Sequence, residues 1–567
     1  MQRELIEQGV EAIPLIVGVT SHRDLREDEL AGLRGQVSRL FARLRGDYPD
    51  LQLAVLSPLA EGGDQLVAEE GLRQGARLLV PLPLPVELYA HDFHGEAQRS
   101  NFLALLGQGE ALPLPVPEGV GVNALRAPGP LRDLQYARCG LYVADHCHLL
   151  LALWDGRPSP RIGGTAQVVA YYLGQSMPGV GDARARVRRV LANDDDSLVF
   201  HVPAGRRRHR AAAPAQEEAP RWLTSRGASP GGAPMPAGFL TVFDRLQSFA
   251  RDLRRYPAAP LPAAEADGSV VQSLFLGADR LAVHFRGRVL LALRATHVMV
   301  ALMGIALLLY QYVPEPRWLL WLFLVVFAYG IVLARVARRR EWHRKYIDYR
   351  SLAEGLRVQW FWRRAGISAT GDQNFAHDNF LQKQDVELGW IRNVMRFAGL
   401  QVTAPIDPAD VGQVCDEWVG EDDGSGNGGA ELAWYTRRAI ERSRQERTTR
   451  VLGIVCLWAG IAICLLLALA WPRLPLPLRD VLEIALGTLS IIAAVRSAYA
   501  FRKADKELVR QYRFMQRIYR NARNALDACT DWHQRQDILQ ILGEATLAEH
   551  AEWALMHRER PLEHGKP

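Results

Sequence analysis

Three short segments in the first third of the chain place glycine and polar residues directly after apolar runs. They read GVTSHRD from residue 18, SPLAEGGDQ from residue 57, and ALWDG followed by GGT between residues 152 and 165. A turn that leads from a parallel strand into a helix presents free backbone N–H groups and the positive end of a helix dipole, and these groups bind anions. Together the segments predict a pocket for a ligand that carries phosphate groups.

Each residue type in these segments has a role set by its chemistry. Glycine allows close backbone approach, the hydroxyl, imidazole and guanidinium groups donate, and carboxylates accept from ribose hydroxyls or a base. The predicted ligand-binding residues are Gly18, Thr20, His22, Arg23, Ser57, Glu61, Gly62, Asp64, Trp154, Asp155, Gly163, Gly164 and Thr165, with Ser21 as a further donor. Each segment alone has a simpler explanation, since a glycine pair is often only a turn and His22 only a capping residue. Their position after successive strands predicts convergence on one rim.

The elements that must position these residues are those of an α/β domain with a mostly parallel, Rossmann-like sheet. Apolar runs typical of buried strands alternate with amphipathic stretches as far as residue 202. The predicted strands are Ile13 to Val19, Leu51 to Leu56, Leu78 to Leu82, His148 to Trp154 and Leu198 to Val202. Helices are predicted after Glu29, over Gly63 to Gln74 and over Leu131 to Ala144.

Composition excludes several classes of protein. The 567 residues are 49% hydrophobic and carry a net charge of only +6, a small surplus that does not favour nucleic-acid binding. The six cysteines show no CxxC spacing, which predicts neither a metal site nor a disulfide framework. Residues 203 to 269 are rich in Pro, Ala, Gly and Arg and predict a flexible linker, in which Phe239 to Leu253 could form a short helix. The Arg206 to Arg208 run is a solvated charge run or a contact for anionic lipid headgroups.

Four long apolar segments in the second half predict membrane-spanning helices. They are Val289 to Tyr312, Trp318 to Ala334, Val451 to Trp471 and Val481 to Ala500. A helix of about 20 residues crosses the roughly 30 Å hydrocarbon core. The fourth segment is flanked by Glu483 and Arg496, so an interfacial or buried helix is its alternative. Short connectors between the first and second and between the third and fourth segments predict two helical hairpins.

The distribution of Lys and Arg predicts the orientation. Basic residues flank the outer ends of both hairpins, whereas the first turn carries only Arg317. The positive-inside rule then places both termini in the cytoplasm of a multi-pass inner-membrane protein, and the acidic N-terminal stretch lacks a signal peptide's pattern. Each hairpin leads into a cytosolic helix. The second of these helices carries an apolar seam from Leu508 to Leu526, whose partner is either in the same chain or in a second copy, and the latter predicts a homo-oligomer.

The domain boundaries follow from these patterns. The chain divides into a ligand-sensing domain, a linker, a first hairpin with its cytosolic helix, a cytosolic connector, and a second hairpin with its C-terminal helix. These cover residues 1–202, 203–269, 270–365, 366–440 and 441–567.

The N-terminal segments resemble a known superfamily. GVTSHRDL, LSPLAEGGDQLVAEE, LLVPLPLP and LLLALWDG followed by GGTAQVV are similar to the SLOG superfamily, whose Rossmann-like domains are related to the Smf/DprA and LOG proteins. The second half, with ADRLAVHFRGR before a hairpin and WHRKYIDYRSLAEGLR after it, resembles the SLATT-type membrane effectors of prokaryotic conflict systems. The resemblance implies a sensor of a nucleotide-derived second messenger coupled to a membrane-disrupting effector of antiphage-type defence, with no other cofactor.

One departure from the LOG pattern bears on catalysis. LOG enzymes cleave nucleoside monophosphates and carry a glutamate shortly after a PGGxGT run, whereas here the stretch is PRIGGTAQV and Gln167 stands near the expected acid. A neutral amide is not a general acid or base, which favours binding over hydrolysis and leaves no residue predicted as catalytic. Glu61 or Asp155 as a substitute acid keeps a membrane-anchored nucleotide hydrolase as the alternative. A channel or transporter is disfavoured, because the apolar segments carry no row of charges and no paired Gly/Pro breaks.

Overall fold

The computed structural model describes most of the chain. The described residues are 13–116, 121–177, 197–207, 219–257, 268–367, 380, 386–400, 408–420, 431–503 and 505–559. The chain forms two compact units. The α/β unit comprises residues 1–278, 351–407 and 543–551, and the helical unit comprises residues 279–350, 408–542 and 552–567.

The α/β unit is built on an eight-stranded, mostly parallel sheet, which confirms the predicted fold class. The strands are β1 (Pro14–Ser21), β2 (Gln52–Leu56), β3 (Arg77–Leu82), β4 (Glu110–Pro113), β5 (Leu149–Trp154), β6 (Val199–Pro203), β7 (Arg221–Thr224) and β8 (Gly227–Pro230). Their order is β4-β3-β2-β1-β5-β6-β7-β8. Strands β1 to β6 pair in parallel with their neighbours in this order. The β6–β7 and β7–β8 pairs are antiparallel.

The strand order reverses between β1 and β5. Strands β1 to β4 proceed towards one edge of the sheet, and β5 starts again on the other side of β1. In open α/β sheets a crevice forms outside the carboxyl ends of the strands at such a switch point, and ligands bind there. Both central strands are almost wholly buried, as their continuous apolar runs predict.

Helices cover both faces of this sheet. The helices of the α/β region are α1 (Leu30–Asp47), α2 (Gly63–Arg73), α3 (Val86–Tyr89), α4 (Glu96–Leu106), α5 (Pro130–His146), α6 (Thr165–Tyr172) and α7 (Ala237–Arg255). Helix α1 confirms the helix predicted after Glu29, and the residues it buries at helical spacing are Leu33, Val37, Leu40, Phe41 and Leu44.

The prediction of a flexible linker over residues 203–269 is wrong for much of its described part. Strands β7 and β8 extend the sheet, and the buried Trp222 packs on Phe200 with ring centroids 4.7 Å apart. Helix α7 confirms the short helix predicted over Phe239 to Leu253, but it is packed on the α/β unit, with the Phe243 ring edge-on to the Tyr48 ring and their centroids 5.5 Å apart. The composition cannot form a core alone, but a few large apolar side chains suffice where an existing sheet edge and core receive them. Residues 208–218 and 258–267 lie outside the described residues.

Two arginines of the predicted linker run are held by the α/β unit. The Arg206 guanidinium lies 2.9 Å from the Asp24 carboxylate, and Arg207 lies 3.4 Å from Glu27. These ion pairs supply both arginines with anionic partners inside the protein, so they are part of the folded surface. Arg208 lies outside the described residues.

A distant segment also completes the α/β unit. Within the predicted cytosolic connector, helix α11 (Gly389–Ala398) follows helix α10 (Trp342–Arg364) along the chain. The Tyr142 hydroxyl donates to the Leu400 carbonyl at 2.6 Å, and His148 Nε2 lies 2.9 Å from the Asn393 carbonyl oxygen. The Trp390 ring packs against the Phe249 ring, with centroids 5.3 Å apart. The domain predicted to end at residue 202 therefore buries side chains from residues 388–400.

The C-terminal half is helical. Besides α10 and α11 its helices are α8 (Val270–Leu309), α9 (Arg317–Arg339), α12 (Pro408–Val419), α13 (Glu431–Ala470), α14 (Leu476–Arg502), α15 (Asp505–Ala528) and α16 (Trp532–Glu559). Four helices, those containing the four predicted segments, are long and apolar enough to cross a membrane. Short turns join α8 to α9 and α13 to α14, as expected for hairpins.

The polar groups of the fourth apolar segment have partners within the helical unit. The Glu483 carboxylate, which weakened the prediction of a span, accepts a hydrogen bond from the Tyr312 hydroxyl at 2.6 Å. Gly487 lies directly beneath Leu308, where an added Cβ would come within 2.7 Å of the leucine side chain. Helix α14 thus packs closely on α8. The Glu483 carboxylate has a hydrogen-bond donor in the protein, which lipid acyl chains could not provide.

The apolar seam of α15 finds its partner in the same chain. Tyr519 and Met515 are fully buried. The ring centroid of Tyr435 of α13 lies 5.4 Å from that of Tyr519 and 6.0 Å from that of Tyr512. The Gln516 amide donates to the Thr436 hydroxyl at 2.9 Å across the same interface. Of the two alternatives for the seam, the structure therefore contains the one within a single chain.

His148 is a buried histidine whose two ring nitrogens are both used. Its Nδ1 accepts from the Ile16 N–H at 3.2 Å, and Nε2 therefore carries the proton that is donated to Asn393. Burial, with help from the charge of Arg396, lowers the pKa of His148 to about 3. Burial also lowers the pKa of the neighbouring His146 to about 4.

We expect acid to destabilise the α/β unit through His148. Between pH 6.5 and the native pKa only the unfolded chain binds a proton, so the free energy of unfolding falls by about 1.4 kcal/mol per pH unit from this group. In His148→Gln the stability at pH 7.5 is lower, but its decline towards pH 5.5 is shallower. Urea unfolding of the full-length protein in detergent, followed by tryptophan fluorescence, measures both slopes. Equal slopes in the two proteins would contradict this account.

Candidate functional site

The three predicted segments meet at Ser21, the last residue of β1. The Ser21 hydroxyl donates to Asp64 Oδ1 at 2.6 Å, which joins the first segment to the second. The Ser21 carbonyl accepts from the Thr165 hydroxyl at 2.8 Å, which joins the first to the third. From the sequence, Ser21 was predicted only as a further hydrogen-bond donor. In the structure its two hydrogen bonds connect all three turns at the switch point.

The glycine pair before α2 makes this junction possible. Gly62 has a φ of 92°, and a Cβ at this position would lie 2.4 Å from the Arg23 carbonyl oxygen. A Cβ on Gly63 would lie 2.6 Å from the Ser21 hydroxyl oxygen. Only glycine fits at these two positions, so the contact between the two turns by itself accounts for the glycine pair. Any role in ligand binding is additional.

Gln167 stabilises the third turn with both ends of its side-chain amide. Its oxygen accepts from the Gly163 N–H at 3.1 Å, and its nitrogen donates to the Pro160 carbonyl at 3.3 Å. Gly163 has a φ of 70° and lies against the backbone of Ala137. The residue that stands near the expected LOG glutamate therefore shapes the loop that precedes α6. Gly164 caps α6, and Thr165 begins it.

His22 and Asp155 form a pair at the rim. His22 Nε2 lies 3.0 Å from Asp155 Oδ1 and 3.2 Å from the Asp155 backbone nitrogen. Burial lowers the pKa of His22, although the hydrogen bond and charge of Asp155 oppose the shift. Burial alone would raise the pKa of Asp155, but the hydrogen bonds from His22 and from the Arg157 N–H lower it. The carboxylate therefore stays charged and ties the first turn to the third.

Asp64 is a buried carboxyl group directly below the rim. Its residue surface is 3% exposed, and burial raises its pKa to about 7, although the Ser21 hydrogen bond and the Arg23 charge act in the opposite direction. The prediction that Asp64 accepts from a ribose or base does not fit this position, because its carboxyl group is enclosed and already bonded to Ser21.

Arg23 and Glu61 are the charged candidates that reach solvent. The Arg23 guanidinium is exposed above the Tyr136 ring, 5.6 Å from its centroid, and has no carboxylate partner in the part of the chain that the structure describes. Tyr136 in turn donates to Asp92, which also pairs with Arg132 at 2.6 Å. Glu61 lies 3.2 Å from the exposed His94 ring. Sequence analysis missed Tyr136 and His94, because no local pattern links them to the three turns.

Four of the predicted residues lie below the rim and serve the fold. Gly18 is pressed against Cys147 of α5, where a Cβ would come within 2.6 Å, so its role is packing. Thr20 is buried on β1, and the buried Ser57 hydroxyl accepts from the Leu59 N–H at 3.2 Å. The Trp154 indole donates to the Arg157 carbonyl at 3.0 Å. These contacts support the turns that form the rim.

Comparison of the chain with models of protein families, with curated proteins and with solved structures found no match. The chemistry of the site therefore rests on its own geometry. That geometry is a rim at a switch point with the Arg23 guanidinium, which has no carboxylate partner among the described residues, a histidine–aspartate pair and the start of a helix.

The burial of Asp64 predicts that its removal stabilises the protein. Because the native pKa lies above the ordinary value of 3.8, the native state binds more protons than the unfolded chain between about pH 4 and 7, and stability falls with rising pH in that range. In Asp64→Asn the gain in unfolding free energy over wild type grows by about 1.4 kcal/mol per pH unit up to about pH 7 and then levels off. Urea titrations of both proteins at pH 5, 7 and 8.5 measure this gain in unfolding free energy. A gain that does not change with pH would refute the raised pKa of Asp64.

Proposed function

We propose that this protein is a membrane-bound receptor for a phosphorylated, nucleotide-like small molecule. The observation that carries the proposal is the convergence of three turns on Ser21 at the switch point, beside the unpaired Arg23 guanidinium. In this proposal the phosphate group occupies the crevice between Arg23 and the first turn of α6. A positive charge and a helix N-terminus are the groups that bind phosphate in parallel α/β folds.

Groups that suit the rest of such a ligand surround the phosphate position. The Glu61 carboxylate reaches solvent on one side, where it can accept from ribose hydroxyls. His22 and Asp155 hold the opposite turn through their 3.0 Å contact. The resemblance to the SLOG superfamily points to the same ligand class, a nucleotide-derived second messenger.

We further propose that the helical unit is the effector and that its four apolar helices lie in the cytoplasmic membrane. The resemblance to SLATT-type effectors supports membrane disruption as the output, within an antiphage-type defence system. Ligand binding drives such a response only if the active arrangement, for example a homo-oligomer, binds the ligand more tightly than the resting one. A shift from 1% to 99% active requires roughly a 10⁴-fold difference in affinity.

A nucleotide hydrolase remains the second candidate, because Asp64 titrates near neutral pH as a general acid or base would. Two observations favour binding over hydrolysis. Ser21 bonds to the Asp64 carboxyl group from the rim side, and Gln167 is engaged in the loop. Incubation of the full-length protein with nucleoside monophosphates separates the two functions, since a hydrolase releases free base with turnover.

Arg23→Ala tests the binding site. We expect a phosphorylated small molecule to co-purify with the wild-type protein and its amount to be at least tenfold lower in the variant, because the mutation removes the guanidinium beside the three turns. Mass spectrometry of the heat-released ligand measures it, and titration with adenosine diphosphate provides a defined probe. Arg39→Ala, an exposed arginine in the middle of α1, is the matched control. Equal ligand content in all three proteins would contradict the proposed site.

The basic ends of both hairpins predict their orientation. We expect a C-terminal fluorescent protein to fluoresce in intact bacterial cells and alkaline phosphatase inserted in the turn between α8 and α9 to be active, because the basic residues keep both hairpin ends in the cytoplasm. An inactive phosphatase at the turn, or recovery of the full-length protein from the soluble fraction without detergent, would contradict this topology.

A further inference from the structure

A cavity of about 340 Å³ lies between α13 and α15 in the helical unit. It is distinct from the rim of the sheet and plays no part in the function proposed above. Its polar lining consists of Thr436, Ser443, Arg444, Arg447, Arg513 and Gln516. The cavity is therefore lined by three guanidinium groups and three neutral groups that donate hydrogen bonds, with no carboxylate among the lining residues.

The arginines that line the cavity differ from their neighbours on the same helix. Arg438 lies 2.7 Å from Glu441, and Arg450 lies 2.8 Å from Glu446, so both charges are neutralised. Arg444, Arg447 and Arg513 have no carboxylate partner within the ranges that the structure describes. All three arginines are exposed, so water and salt screen their mutual repulsion in part, and an anion bound between them would reduce it further.

The side chains across the cavity are held in place. Arg513 donates to the Ser443 hydroxyl at 3.1 Å, and Gln516 donates to the Thr436 hydroxyl at 2.9 Å. Both hydrogen bonds join α15 to α13, so the two walls of the cavity are fixed relative to each other. Arg513 and Gln516 are thus held in place without a ligand, which lowers the entropic cost of binding one.

The position of the cavity along α13 sets the level at which it meets the membrane. The uncharged stretch of α13 begins at Val451, four residues after Arg447 and seven after Arg444. At 1.5 Å per residue these positions lie about 6 Å and about 10 Å beyond the hydrocarbon core. The lipid headgroup layer occupies roughly the first 5–8 Å on each side of the core. Arg447 therefore lies at headgroup level, whichever face of the membrane this end of the hairpin occupies.

We propose that this cavity binds the phosphate group of an anionic phospholipid. Three arginines match the charge and the acceptor geometry of a phosphate, and basic pockets beside membrane helices bind such headgroups. The exposed side chains of Val451 and Ile454, which follow Arg447 on α13, provide an apolar path for the acyl chains. A soluble phosphate has the same chemistry but makes no use of this apolar surface.

Two double variants of α13 test the proposal. Arg444→Gln/Arg447→Gln removes two unpaired charges from the cavity, and Arg438→Gln/Arg450→Gln removes two paired charges from the same helix. The full-length protein is incubated with phosphatidylglycerol and phosphatidylcholine in equal amounts, and bound lipids are counted by native mass spectrometry. We expect the preference for phosphatidylglycerol to fall about tenfold or more in the cavity variant and less than about twofold in the control. Unchanged helical circular dichroism shows that both variants fold.

Two results would overturn the proposal. One is an equal loss, or no loss, of phosphatidylglycerol preference in the two variants. The other is displacement of phosphatidylglycerol from the wild-type protein by millimolar inorganic phosphate with the same dependence on Arg444 and Arg447, which would assign the cavity to a soluble anion. Neither result depends on the ligand of the α/β unit, so the outcome is separate from that of the proposed function.

Discussion

The candidate site depends on the close contact between the turn after β1 and the turn that begins α2. The glycine pair removes two side chains at the point where the two backbones meet, and the Ser21 hydroxyl then reaches the Asp64 carboxyl group at 2.6 Å. Once this contact forms, the Ser21 carbonyl is positioned to accept from Thr165 of the third turn. Arg23 follows two residues later, so its placement at the rim is a consequence of the same contact.

The stability of the α/β unit involves titratable groups that lie away from water. His146 and His148 are neutral in the native state, and Asp64 holds its proton to about pH 7. Their effects on stability oppose each other, because acid favours the unfolded form through the histidines and the native form through the aspartate. His148 serves the fold, since its ring joins β1 to α11, whereas Asp64 lies under the rim, where a buried carboxyl group costs stability. Such costs are typical of functional sites.

Several charged groups of the helical unit have partners within it. Glu483 has the Tyr312 hydroxyl, and Arg438 and Arg450 have glutamates on the same helix. The three arginines of the α13–α15 cavity differ in lacking carboxylate partners within the described residues. All three are exposed, and we propose that an anionic lipid headgroup is their counterion.

Much of the fold was predictable from local patterns, because apolar runs and helical periodicity report burial residue by residue. The five predicted strands and the four apolar segments are present, and the three turns meet as expected at the end of parallel strands. The short edge strand β4, the β7–β8 hairpin and the docking of α11 were not predicted, since each depends on a surface formed by distant residues. For the same reason the sequence alone did not separate Gly18 and Ser57, which pack inside, from Arg23, which reaches solvent. Composition and periodicity determined which elements form, while the burial of a polar group and its choice of partner were decided only when residues far apart in the chain came within bonding distance.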